Sequence, residues 1–242
     1  GLIEINDLAD LDEIRNNLDG TSLYSVNTGC PAEGCNGFEL TAELDFDTNG
    51  DGIMDENDDY WNEGEGWSPI GSSSSPFTAI FEGNGHLIHN LYISRAGAYD
   101  TGLFGGINAA QILNLGLAGK LMSVHGGQYT GALVGWAYRD NTISKVFVSG
   151  KVMGAQQTGG ILGRADYRTN ISNCYHTGTV SGSDNTAAIA AYRFGTSVSI
   201  SSCFSSGFIS AGPSDYAGGL VVHKTGASTI NSYWALDTGG RG

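Results

Sequence analysis

The sequence predicts an all-β fold, a parallel β-solenoid, and three observations predict it. One phrase recurs six times, at Ile88-His89-Asn90-Leu91-Tyr92, Ile112 to Gly116, Ile143 to Phe147, Ile171 to Tyr175, Ile200 to Phe204 and Ile230 to Trp234. Its starts are 24, 31, 28, 29 and 30 residues apart. A second phrase falls between them: Gly102-Leu103-Phe104-Gly105, Gly131 to Gly135, Gly159 to Gly163, Ala187 to Ala191 and Gly218 to Val222. Beyond residue 20 no segment sustains helical periodicity. A period in this range means stacked units that cannot bury a core alone.

Each repeat holds two short, β-branched apolar runs bounded by Gly, Ser, Thr and Asn, which reads as strands. Translation of such a unit stacks each strand on its copy about 4.8 Å away. Ile88, Ile112, Ile143, Ile171, Ile200 and Ile230 are then expected in one interior ladder. Leu91, Leu115, Val146, Cys174 and Cys203 are expected in another. Gly119, Gly150, Gly178 and Gly207 share one phase, where a tight corner calls for positive φ. A β-sandwich would show turn signals every 8–12 residues and no translational repeat. The whole chain, 1–242, reads as one elongated domain, with about six coils over 86–242.

Taken in order, residues 7–18 form the one amphipathic helix, with Leu8, Leu11, Ile14 and Leu18 on one face. Asp7 suits the N-cap and Gly20 the stop. Laid across the first coil, within residues 1–20, this helix would cover open core and strand edges. Residues 1–65 carry 18 of the 25 acidic side chains and one base, Arg15. Residues 66–242 carry 7 acids and 10 bases. An acidic cap on a near-neutral rod gives nucleic acid no basic surface. No run of 18 apolar residues occurs, so membrane insertion is not expected.

Cys30 and Cys35 close a six-residue loop, CPAEGC. With no second pair nearby for zinc, a disulfide and an oxidising compartment are expected, against the alternative of two free thiols. Cys174 and Cys203 share one phase of consecutive repeats, within disulfide reach. They fit equally a pair of small buried hydrophobes.

Residues 45–59 hold the most specific chemistry. Counted from Asp47, oxygen side chains fall at positions 1, 3, 5, 9 and 12: Asp47, Asn49, Asp51, Asp55 and Asp58. Gly52 stands at position 6, and Ile53 offers its carbonyl. This is the spacing of a calcium loop of EF-hand type, in which hard oxygens converge on Ca²⁺. A second register begins at Asp45 and uses Asp47, Asn49, Gly50 and Glu56. So many carboxylates this close repel one another unless a cation sits between them; the alternative reading is an acidic disordered loop. A structural ion is expected, in a lone loop inserted between coils.

The strings WSPIG (67–71), PFTAIFEGNGHLIHNLYI (76–93) and GLFG (102–105), with the later G-x-[LI]-[VL]-G phrases, resemble the GLUG-repeat family. ELTAELDFDTNGDG (39–52) is similar to that family's first coils with a calcium insert. The resemblance covers nearly the whole chain. It implies a right-handed parallel β-helix from the outside of a bacterial cell, as in adhesins and the non-catalytic regions of IgA-specific metallopeptidases. It implies no reaction. Ala187 to Ala191 departs from it by lacking the glycines, which leaves that corner's geometry open.

The five histidines are scattered, and no HExxH, GxSxG or P-loop string occurs. The pairs Tyr138-Arg139, Tyr167-Arg168 and Tyr192-Arg193, with His223-Lys224, follow the second strand of successive coils. Stacked, they would form a stripe for an anionic glycan, with rings for sugar faces and guanidinium for carboxylate or sulfate; otherwise they are solvated corner residues. The reading is a non-catalytic, calcium-stabilised structural or adhesive module whose partner is a cell-surface glycan or other copies of itself. A head-to-tail filament subunit and a polysaccharide-active β-helix enzyme are the alternatives.

Overall fold

The computed structural model describes residues 1–193, 198–212, 216–222 and 228–235. Among them the chain winds as a parallel β-solenoid of four sheets. One coil shows the plan. Gln111–Ala118, Ser123–His125, Gln128–Gly131 and Val134–Ala137 lie on successive faces, and Thr142–Val148 begins the next coil. Each strand pairs in parallel with its counterpart one coil on, as Val134 does with Phe104 and Leu162. Parallel in-register pairing requires a long crossover, and here the crossover is the rest of the coil.

Like residues do pile over like residues, but the columns differ from those expected. The first runs Ile3, Phe38, Phe81, Ile112, Ile143, Ile171, Ile200, Thr229. Ile88 stands in a second column with Leu44, Leu117, Val148, His176, Ser205 and Trp234. Its coil begins at Ile80–Glu82, before residue 86. The turn at Gly83 to His86 lengthens that corner, so the phrase at Ile88 sits late in its coil. Ile230 pairs with Ser201 and is 55% exposed. A one-residue offset in a strand turns each side chain to the other face. Leu91 is buried but opens the next face, before Tyr92–Ser94. Leu115 and Val146 do pair.

The bend within the first sheet is turned without glycine. Asn114, Lys145, Asn173, Ser202 and Asn231 occupy one phase, with φ of 52°, 56°, 54°, 52° and 46°. Asn tolerates the left-handed region best among L residues, which explains the recurring Asn of the first phrase. Gly119 and Gly150 have positive φ as expected, whereas Gly178 and Gly207 do not. Those two are required by close approach: a Cβ on Gly178 would lie 1.9 Å from the Gly150 carbonyl oxygen. The Ala187–Ala191 repeat keeps the register, with Ala187 level with Gly159 and Gly218, and its four alanines are fully buried.

The helix is shorter than expected. It spans Leu8–Glu13, continues as a 3₁₀ turn over Ile14–Asn16, and ends before Gly20. Asn17 ends it, because its side-chain amide donates to the Ser22 carbonyl (2.7 Å) and hydroxyl (2.6 Å). Such local side-chain bonds compete with the helix. The Asp7 carboxylate caps the start, accepting from the Asp10 amide at 2.9 Å. Leu8, Leu11 and Ile14 are buried against the first coils. No helix among the described residues is long and apolar enough to cross a membrane.

Candidate functional site: an acidic loop and an aromatic–basic edge

The acidic loop is anchored by aromatic packing. Phe46, Tyr60 and Trp67 meet edge to face, with centroids 5.3–5.8 Å apart. The Trp67 indole donates to the Leu103 carbonyl at 3.1 Å, and the Arg15 guanidinium covers its ring at 4.8 Å. Burial first, then the charges of Asp12 and Asp59, push the Tyr60 phenol up to about 12.

Within the loop the oxygens turn toward its own amides. Asp45 accepts from the Asp47 amide and from the Asn90 side chain at 2.8 Å. Asp47 Oδ2 accepts from Gly52, Asn49 from Asp51, Asp51 from Ile53 and Asp55 from Asn57. Asp58 is buried and closes the loop, with Oδ1 accepting from Thr48 (2.8 Å) and Oδ2 from Asp55 (3.0 Å). Residues of this kind favour such local turns. Ile53 is exposed. Among the described residues no three His, Cys, Asp or Glu side chains gather at metal-holding distance. One oxygen stands out: Asp47 Oδ1 is buried without a hydrogen-bond partner. Asp47 borders a cleft of about 450 Å³ that Asp7, Glu43, Asp45 and Asp59 also line.

Cys30 and Cys35 are disulfide-bonded, with Cα atoms 5.3 Å apart. Cys174 and Cys203 are free, which corrects the bond expected as one possibility. Cys174 lies between Asn170–Ser172 and Tyr175–His176, and Cys203 lies between Ser199–Ser201 and Phe204–Ser205 one coil on; their thiols donate to the Ser172 and Ser201 carbonyls. They behave as small core residues. The neighbouring Cys203 sulfur, toward which the Cys174 S–H is a donor, and then burial push the Cys174 thiol up.

The tyrosine–arginine pairs do not form a straight stripe. Asp140 and Arg168 are both left-handed corner residues (φ 56° and 51°), and their side chains form an ion pair across coils. That hydrogen bond from Arg168 holds the exposed Asp140 carboxyl below its usual range. These coils pair at an offset of 28 residues, so Arg139 lies level with Tyr167, with its guanidinium 5.0 Å from the Tyr138 ring centre and 5.7 Å from that of Tyr167. Trp136 extends the aromatic surface, 5.1 Å from Tyr138. Tyr192 belongs to another column, with Arg164 and Trp136. Arg193 pairs with Ala165; its side chain and His223-Lys224 lie outside the described residues.

Sequence reasoning missed Arg164 and Asp166. Arg164 bonds Asp166 (2.9 Å) and the Tyr129 hydroxyl (2.9 Å), and Asp166 accepts from the Trp136 indole (3.0 Å). The proximity of Arg164 and Asp166 in sequence was the available signal.

The model of "The GLUG motif" family matches residues 154–181, one coil of the stack. Halomucin of Haloquadratum walsbyi is 32% identical over 153 residues, 62% of this chain and 1% of halomucin. "Putative Gly-rich membrane protein" of Evansella cellulosilytica is 38% identical over 77 residues, 31% of this chain and 9% of that protein. The chain thus spans a small part of either relative. A solved structure from Bacteroides ovatus, titled as that of a "putative immunoglobulin A1 protease", superposes with a TM-score of 0.63. It covers 98% of this chain and 76% of its own, at 17% identity, so the likeness is one of fold. The chain is a parallel β-solenoid that carries the GLUG motif, as its repeated phrases predict.

Proposed function

We propose that the chain is a non-catalytic module of an extracellular surface protein, and that it holds an acidic glycan along Tyr138, Arg139 and Tyr167. The motif and the names of the relatives support the surface setting. The observation that carries the glycan reading is Arg139. It is exposed, its guanidinium lies against two tyrosine rings that meet edge to face, and it is in no ion pair among the described residues. A ring-held guanidinium is a directed donor for carboxylate or sulfate. The Arg139→Ala, Tyr167→Ala double variant is expected to lose at least tenfold in affinity for heparin or polygalacturonate oligosaccharides in calorimetry. Unchanged affinity, or no binding by the unaltered protein, sinks the reading.

Calcium enters as a stabiliser of the N-terminal loop. The orphaned Asp47 Oδ1 supports it, since a buried carboxylate oxygen without a donor suits a hard cation. Asp47 would anchor it, and Asn49, Asp51, Asp55 and Asp58, whose oxygens accept from the loop's own amides, would turn to it with the Ile53 carbonyl. Calcium at a hundredfold over its Kd would stabilise by about 2.7 kcal/mol. For a chain of this size that is roughly 5–10 °C in melting temperature. Asp47→Asn is expected to abolish the difference between melts in calcium and in EGTA. Identical melts of the unaltered protein in both would exclude the ion.

A further inference from the structure

A groove of about 270 Å³ runs along the corner formed by Ala96, Gly97, Gly127 and Ala155, away from the Arg139 edge's own residues. Its side chains of substance are Tyr99, Gln128 and Gln156. Gln128 and Gln156 are paired in register, and the Gln128 amide donates to Gln156 Oε1 at 2.7 Å. Tyr99 stands two residues before Thr101, which is bridged to Thr130, and so lies level with Gln128. The three therefore form a ladder along the solenoid axis, one member per coil.

The aromatic end of this ladder is braced from behind. Tyr99 is 67% exposed and meets Tyr129 edge to face, with centroids 6.5 Å apart. Tyr129 holds φ of 59°, where L side chains are rare. Its hydroxyl is fixed by Arg164, which Asp166 holds, and Asp166 is tied in turn to the Trp136 indole. The relay spends the charge of Arg164 on Asp166, so none reaches the groove. Nothing that lines the groove is charged.

We propose that this groove binds a neutral glycan chain. The exposed Tyr99 ring offers its face to the C–H face of one pyranose. Gln156 Nε2 and Gln128 Oε1 supply a donor and an acceptor for hydroxyls further along the axis. The small floor residues let the chain lie close to the backbone, and the braced ring is ordered before binding, which reduces the entropy lost on association. An acidic glycan finds no cation here, and so this site and the Arg139 edge select different polymers.

The test titrates cellohexaose, maltohexaose and xylohexaose, with trigalacturonate as the acidic comparison, against the whole chain. Side-chain amide and tyrosine signals are followed by NMR. At least one neutral hexasaccharide is expected to shift the Gln128 and Gln156 amides. Tyr99→Ala should weaken it at least tenfold, Gln128→Ala with Gln156→Ala at least threefold, and Arg139→Ala not at all. Circular dichroism of each variant checks the fold; the Tyr99 ring is largely in solvent. If no neutral hexasaccharide shifts those amides, or if Tyr99→Ala leaves the affinity unchanged, the proposal is overturned. Trigalacturonate binding that needs Arg139 and ignores Tyr99 would at the same time leave the acidic-glycan reading intact.

Discussion

His176→Leu is expected to stabilise the protein, and to do so far more at pH 4 than at pH 7. His176 occupies a core column between Val148 and Ser205, and both ring nitrogens are buried without partners. The ring fills space left by two glycines: a Cβ on Gly160 would meet it at 2.5 Å and one on Gly207 at 2.6 Å. Burial lowers its pKa to about 4. Well above pH 6.5 the ring is neutral in both states and contributes no pH dependence. As pH falls from 6.5, the unfolded chain takes up a proton that the native core refuses. Native stability drops until pH 4 and then levels. The shift is worth about 3 kcal/mol at its full extent. Leu matches the apolar character of Leu117 and Val148 in the same column and removes two unsatisfied groups, a gain of about 1–3 kcal/mol at pH 7. Urea denaturation at pH 7 and pH 4 measures both terms. The same advantage at both pH values would mean that the imidazole is not held neutral.

Trp67→Ala should cost about 3–5 kcal/mol, since a buried aromatic is removed whole. Trp67 is 1% exposed and is the piece that joins the acidic loop, the helix and the coils. It touches Phe46 and Tyr60, lies under Arg15, and reaches the Leu103 carbonyl. In a solenoid each coil leans chiefly on its neighbours, so such damage stays local. The N-terminal end is expected to melt first, which splits one thermal transition into two, the earlier roughly 10 °C below the parent. Hydrogen exchange should show amides of residues 1–65 opening ahead of those in 110–165. Trp67→Phe keeps the packing, loses the indole donor and should cost only about 1–2 kcal/mol. A single transition within 2 °C of the parent for Trp67→Ala would contradict this account.

The repeat was legible because identical positions meet identical surroundings in every coil, so selection for packing writes itself as a period. The phase was harder to read. The Gly83 to His86 turn places Ile88 over Leu44 and under Leu117, and by residue type alone Ile88 passes for Ile112's copy. The odd interval of 24 residues was its trace. Cys30 and Cys35 were legible from proximity in sequence, which a single loop satisfies. Cys174 and Cys203 were placed in the right column but not in the right chemical state, because phase gives level and says nothing of the direction in which two thiols point. The edge was misread for a related reason. Tyr138-Arg139 and Tyr167-Arg168 are 29 residues apart where the coil repeats every 28, so the pairs are offset by one position between coils, and Tyr192 falls in another column. Also hidden was an inner row of threonines, Thr101, Thr130, Thr158 and Thr186, facing Gly126, Gly154 and Gly182. Threonine in a strand reads as surface until the facing glycine is known.

Because each strand pairs in register with the same strand one coil on, the rod adds about 4.8 Å for every 28 to 31 residues inserted as a unit. Stand-off distance is then set by arithmetic on whole copies. A duplicated coil would lengthen the molecule without disturbing any contact except the seam where it enters, which makes this architecture a ruler that can be re-cut in fixed steps.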